Sequence, residues 1–199
     1  FLIYVTIKAP KFDTSKLNTS ELTVIYDKDN KEITKLGSEK REKVTYEELP
    51  QVFVDALVAT EDSRFYQHNG FDAPRFLKAT VGQLLGHSDA GGASTLSMQV
   101  IKNSFTSTVS GGFAGIVRKF TDIYLAVFKL EKHYSKDEIL EFYVNNHFLG
   151  GNVYGVQEAS REYFGKDVTD LNLSEAATLA GMFKSPNYYR PNANPKNAT

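Results

Sequence analysis

Three stretches of the chain carry the same helix-opening signature, a hydroxyl or amide side chain followed three residues later by glutamate: Thr45 with Glu48, Ser135 with Glu138, and Asn172 with Glu175. In this pattern the first side chain accepts a hydrogen bond from an amide of the opening turn, and the glutamate reaches back to the first residue's own amide. A chain punctuated in this way is built to be mainly α. Thr45 and Glu48 introduce residues 49–60, where Pro50 suits the first helical position and Val52, Phe53, Ala56, Leu57 and Thr60 fall on one stripe. Ser135 opens a helix through about residue 145, residues 154–164 form another stopped by Gly165, and Asn172 opens a last one ending near Phe183, before Pro186. Only the start departs from this pattern: residues 22–26 and 32–35 are β-prone around Asp27-Lys28-Asp29-Asn30, a hairpin or short meander. The expectation is five or more helices with a small N-terminal β element.

With 199 residues and 41% hydrophobic content, the chain can bury one substantial core. A net charge of -1 gives no global argument for nucleic acid or membrane, so any anion site must come from local clustering of Lys and Arg. The absence of cysteine removes disulfides, thiol nucleophiles and thiolate metal sites. Residues 1–7 are an apolar run, too short to span a bilayer, which takes about 20 residues; they read either as the remainder of a transmembrane tail or as an edge strand. Residues 186–199, rich in Pro, Asn and Tyr, read as a loop or linker.

The chemistry concentrates in three places. Glu61 ends the apolar helix of residues 49–60, where apolar surroundings and the negative end of the helix dipole both disfavour ionisation, which suits a general base. Glu61 and Asp62 read equally well as an ordinary polar helix end. The run 91–103 places two glycines and two hydroxyl residues before a helix, an anion-binding arrangement, with Thr95, Gln99 and Lys102 on one helical face. The plainer alternative is a capped helix with a solvated lysine. Third, Arg118, Lys119 and Asp122 gather in the first turns of a helix expected over 118–133; two cations at a helix start oppose its dipole and point to an anion, unless Arg118 and Asp122 are merely a surface pair. Between these stretches, the apolar helix 71–85 suits either a core helix or one resting on an interface, the core being favoured, and residues 105–117, rich in Gly, Ser and Thr, read as a mobile connection with exposed apolar side chains that could serve as a lid.

In order, these pieces resemble the glycosyltransferase family 51 domain, the peptidoglycan glycosyltransferase of class A penicillin-binding proteins and monofunctional transglycosylases. The resemblance is carried by Glu61-Asp62 with Phe65, His68 and Gly70; by Gly92-Ala93-Ser94-Thr95 with Gln99, Lys102 and Asn103; by Arg118-Lys119; and by Ser135-Lys136 with Tyr143 and Asn145. Further matches follow through Pro191, and the set covers residues 49–195. The resemblance implies a lysozyme-like, two-lobed helical fold with a cleft between a larger lobe and a smaller membrane-associated lobe over about 71–117. It makes residues 1–7 the stub of a single transmembrane anchor, 8–48 a linker with the small β element, and 196–199 a linker, with the domain on the outer face of the bacterial cytoplasmic membrane. The implied substrates are lipid II and the lipid-linked glycan; cell-wall synthesis proteins are implied as partners, and nucleic acid is not. Glu61 would be the base on the acceptor hydroxyl and Asp122 the second acid. Ser94, Thr95, Gln99, Lys102, Arg118 and Lys119 would hold the pyrophosphate, with Asp62, Phe65, His68 and Asn145 in support. No metal-ligand set is implied, although a divalent cation, Mg or Mn, at the pyrophosphate is compatible with it.

Two positions depart from the family pattern. Asp122 stands where a glutamate is usual and is shorter by one methylene; Met98 stands where a glutamine is usual and falls at the edge of the face of Thr95, Gln99 and Lys102, bordering the cleft. A lysozyme-like glycan-cleaving enzyme and a non-catalytic glycan-binding module are the competing readings. The cations weigh against the first, since cleaving a neutral glycosidic bond has no use for them, and retention of Glu61 weighs against the second.

Overall fold

All three capping signatures form. Thr45 N–H donates to Glu48 Oε2 at 2.7 Å, Ser135 N–H donates to Glu138 Oε2 at 2.7 Å, and Asn172 N–H donates to Glu175 Oε2 at 2.9 Å. The computed structural model describes residues 1–17, 23–26, 32–36, 42–86, 92–106 and 111–197, with only the backbone of the two strands and of residues 83–84. Its α-helices are α1 (Leu2–Lys8), α2 (Gln51–Glu61), α3 (Ala73–Leu84), α4 (Leu96–Ser104), α5 (Gly112–Leu125), α6 (Glu131–His133), α7 (Lys136–Asn146), α8 (Val156–Phe164), α9 (Leu173–Lys184) and the short α10 (Pro186–Tyr189), where a loop was expected. A π-helical stretch, Ala126–Leu130, joins α5 to α6. Strands β1 (Thr23–Tyr26) and β2 (Glu32–Leu36) pair antiparallel, with Thr23 opposite Leu36. The expected turn at residues 27–30 lies outside the described residues.

The chain divides into two compact units, one of Phe1–Leu17 with Asp62–Tyr143, the other of Asn18–Glu61 with Val144–Thr199. In the second unit α2 lies on α9. Phe53, Val54 and Leu57 are the buried residues of α2, and the Phe53 ring centroid is 6.0 Å from that of Phe183 on α9. Burying each such side chain contributes about 1.5–3 kcal/mol. The stripe expected on α2 is therefore shifted: Val54 is inside and Thr60 is exposed, its hydroxyl donating to Ala56 O. Asn145 fastens the strand of chain before α2, accepting from Val44 N at 3.0 Å and donating to Val44 O at 2.8 Å.

In the first unit α1 and α4 pack on α5. Four sequence expectations change here. Residues 2–8 are helical, not an edge strand, and among the described residues no helix is long and apolar enough to cross a membrane. The helix carrying Arg118 starts at Gly112, six residues early, so both cations sit in its middle and the dipole argument for them does not apply. Four residues of the expected lid, 107–110, lie outside the described residues, while 112–117 are helix. Finally, α3 is not simply a core helix: Ala79 is buried, whereas Leu77, Val81 and Leu85 beside it are exposed.

Gly70 shows why one loop must approach a helix so closely. Its φ is +83°, and a Cβ there would lie 3.0 Å from the carbonyl carbon of Ala126 in the π-helical stretch, so only glycine fits. This seats residues 62–70 against the first unit's longest helical run.

Candidate functional site

Asp62 sits directly after the last residue of α2 and is fully buried. Its Oδ2 accepts from Leu96 N, the first amide of α4, at 2.9 Å; His68 Nε2–H donates to the carboxylate, 3.1 and 3.2 Å from its two oxygens; and Arg75 lies 3.3 Å from Oδ1. The anion expected at the start of α4 is thus the protein's own carboxylate. Thr95 completes that start as the N-cap: its hydroxyl accepts from Met98 N at 3.2 Å and donates to Gly70 O at 2.7 Å. Fully buried and committed on both sides, Thr95 orders the helix and presents no face to solvent. Met98 is buried as well, 1% exposed, and does not border a cleft as its helical position suggested; the core has taken the apolar side chain.

Around Asp62 the loop is locked by side chains. Phe65 is fully buried, and the ammonium of Lys136 stands over its ring at 4.4 Å while donating to His68 O and to Glu131, each bond 2.6–2.7 Å long. Arg64 pairs with Asp72 and holds its carboxyl below the ordinary carboxylate value. Asp62, His68 and Asp72 bring ligand-type atoms within 4.8 Å of one another, but their oxygens are already taken by Arg64, Arg75, His68 and backbone amides. This is an ion network, and it does not fit a metal ion.

The cations expected to hold an anion lie on α4 and α5 of the same unit. Lys119 Nζ donates to Ser94 Oγ at 2.5 Å, tying the run before α4 to the middle of α5. Burial lowers the Lys119 pKa first; Asp122 opposes this, and the charges of Arg118, Lys102 and Arg75 lower it further. Three further cations are therefore near enough to act on Lys119. Asp122, 2% exposed, is the acid among them: Oδ2 accepts from Arg118 at 3.0 Å and Oδ1 accepts from the Thr106 hydroxyl at 2.8 Å. Burial raises the pKa of its carboxyl, against the lowering influence of Thr106, Arg118, Lys119 and Lys102. With both oxygens satisfied, Asp122 offers no open ligand set for a protein-held divalent ion. Gln99, on α4, accepts from the Tyr143 hydroxyl at 3.3 Å.

Two contributors were missed by sequence reasoning. Arg75 donates to Gly92 O at 2.8 Å, so α3 also holds the run before α4; no motif spacing marks it. Thr106 follows Lys102 by four residues, and that helical spacing was the available signal. Next to these residues opens a cleft of about 440 Å³ whose walls include Tyr4, Phe105, Phe113 and Val117, with Lys8 and Arg118 as its cations. A second, apolar groove of about 320 Å³ runs between α1 and the helix of Phe120 and Tyr124. Glu61 belongs to the other unit, as the last residue of α2.

Comparison with known proteins places these residues in a family. Penicillin-binding protein 1A/1B of Bacillus subtilis is 44% identical over 191 residues, a match covering 96% of this chain and 20% of that protein. Penicillin-binding protein 1A of Streptococcus oralis is 41% identical over 198 residues, covering 100% of this chain and 31% of the relative. The chain thus spans a third or less of the length of these relatives. Among solved structures, penicillin-binding protein 1A from Haemophilus influenzae aligns with a TM-score of 0.44 and 25% identity, over 89% of this chain and 16% of that one. Residues 29–199 match the transglycosylase family as a whole, and the chain belongs to that family.

Proposed function

We propose that this chain polymerises lipid II into glycan strands by an inverting transfer. The observation that carries the reading is the cation cluster: the Lys119 ammonium is held by Ser94, the charges of Arg118, Lys102 and Arg75 all act on it, and the buried Asp122 beside it is paired with Arg118, an arrangement suited to a diphosphate that gains charge as it leaves. Glu61 removes the proton from the acceptor sugar's 4-hydroxyl as that oxygen attacks the donor's anomeric carbon. The bond to the lipid pyrophosphate breaks, and Lys102, Arg118 and Lys119 take up its charge, with Ser94 keeping Lys119 in place and Gln99 lining the α4 side. Asp122 holds Arg118 in register along α5. A glycan-cleaving enzyme needs no such cluster, because its leaving group is a neutral sugar.

A lipid II polymerisation assay tests this reading. Asp122→Asn is expected to lower turnover by roughly 10²-fold with saturating donor, the usual cost of losing a preorganised charge; near-normal turnover in folded protein would leave Asp122 as a structural partner of Arg118. The pH profile has a definite sign. Burial raises the pKa of Asp122 above the ordinary 3.8, so falling pH protonates it early, releases Arg118 and sets an acid limb above 3.8. Burial lowers the pKa of Lys119 below the ordinary 10.5, so rising pH discharges it early and sets an alkaline limb below 10.5. A bell narrowed on both sides is expected, and limbs at the ordinary values would contradict it.

The membrane side of the reaction falls to the exposed apolar residues of the first unit: Leu2, Ile3 and Ile7 on α1, Leu77 and Val81 on α3, Phe113 and Ile116 on α5. They rest on the outer face of the bacterial cytoplasmic membrane, where the lipid-linked substrates reside. Each large apolar side chain moved out of water contributes about 1.5–3 kcal/mol, so replacing Leu77 and Phe113 by glutamate is expected to weaken liposome binding at least about tenfold. Unchanged binding would make these residues plain surface.

A further inference from the structure

We infer that Thr106 is a positioning residue of the diphosphate site: its hydroxyl, on the buried carboxylate of Asp122, ties the end of α4 to the middle of α5 and sets the spacing between Lys102 and Arg118. The inference rests on the reading of the cation cluster as a diphosphate site. Phe105 is the C-cap of α4, its N–H donating to Ile101 O, so Thr106 is the first residue beyond the helix and lies about one turn past Lys102. Its partner Asp122 is cut off from water, and a buried carboxylate needs donors on both oxygens. Arg118, one turn back on α5, serves Oδ2; among the described residues Thr106 is the side chain that serves Oδ1, and it comes from the segment that follows α4. The same end of α4 is held from another direction by Phe12, stacked on Phe105 with ring centroids 5.1 Å apart. The tie is therefore part of a built junction.

The shorter acid now has a physical reason. Aspartate at 122 leaves room for a hydroxyl donor from the segment that follows α4, and a glutamate would push its carboxylate into the space Thr106 occupies. Lengthening Asp122 is consequently expected to weaken the site as long as Thr106 is present, contrary to what side-chain reach alone suggests. The charged groups acting on this carboxylate are Arg118 and Lys119 from α5 and Lys102 from α4.

Two measurements on the whole chain separate this inference from the reading beneath it. The first is an NMR titration of the Asp122 carboxyl carbon, which needs no substrate; the second is calorimetric binding of inorganic pyrophosphate. Thr106→Val, which keeps the shape and removes the donor, is expected to move the Asp122 midpoint to higher pH and weaken pyrophosphate binding several-fold, while Thr106→Ser restores both. An unmoved midpoint in folded Thr106→Val overturns the inference. So does a moved midpoint with unchanged pyrophosphate binding, provided Lys119→Ala abolishes that binding, since Thr106 would then be structural only. If wild type binds no pyrophosphate, or Lys119→Ala binds it as well as wild type, the diphosphate reading fails, and the positioning role fails with it. Should Thr106→Val not fold, Thr106→Ala combined with Asp122→Glu carries the test: it must bind pyrophosphate more tightly than Asp122→Glu alone, and equal or weaker binding overturns the inference.

Discussion

Glu61→Gln is expected to abolish lipid II polymerisation while leaving the fold and the binding of lipid-linked substrate intact. The change is nearly isosteric and removes only the group that accepts the proton in the mechanism proposed above. What makes the position suitable is the rigidity on both of its sides along the chain. Before it, α2 is anchored by Phe53, Val54 and Leu57 against the second unit's core; after it, Asp62 is fixed by Leu96 N, His68 and Arg75. General-base catalysis is typically worth roughly 10²- to 10⁴-fold, so a turnover number within about tenfold of wild type would remove Glu61 from that role.

The second large effect concerns stability. Asp62→Ala is expected to cost about 3–5 kcal/mol, because removing the fully buried carboxylate leaves its partners uncompensated: the part-buried guanidinium of Arg75 and imidazole N–H of His68, and the buried opening amide of α4. Asp62→Asn should lose less, since one amide oxygen can still accept from Leu96 N while the new NH₂ faces Arg75. Urea unfolding followed by circular dichroism measures both. A loss under about 1 kcal/mol for the alanine variant would mean that the loop of residues 62–70 is held by Gly70 and Phe65 and not by Asp62. The two predictions also separate adjacent carboxylates: one change is read in turnover with little loss of stability, its neighbour in stability first.

What the sequence determined by itself was local. Capping boxes at Thr45, Ser135 and Asn172, the glycine stop after α8 and the apolar stripes depend on hydrogen bonds and spacing within a few residues, so they survive from sequence to structure with small shifts of boundary. The ordered motifs also carried the family. The points decided only by tertiary structure all involve partners distant along the chain. The anion at the start of α4 is Asp62, 34 residues away; Met98 turns into the core; α5 begins before its cations; and Thr106 meets Asp122 across 16 residues. The face of α3 is exposed for a related reason: apolar periodicity records which side chains share a side of a helix, but not whether another element covers them. The same holds for charge. Lys102, Arg118, Lys119 and Arg75 are spread over 45 positions of sequence, and only the packing of α4 on α5, with α3 holding Gly92, brings the other three charges close enough to act on Lys119.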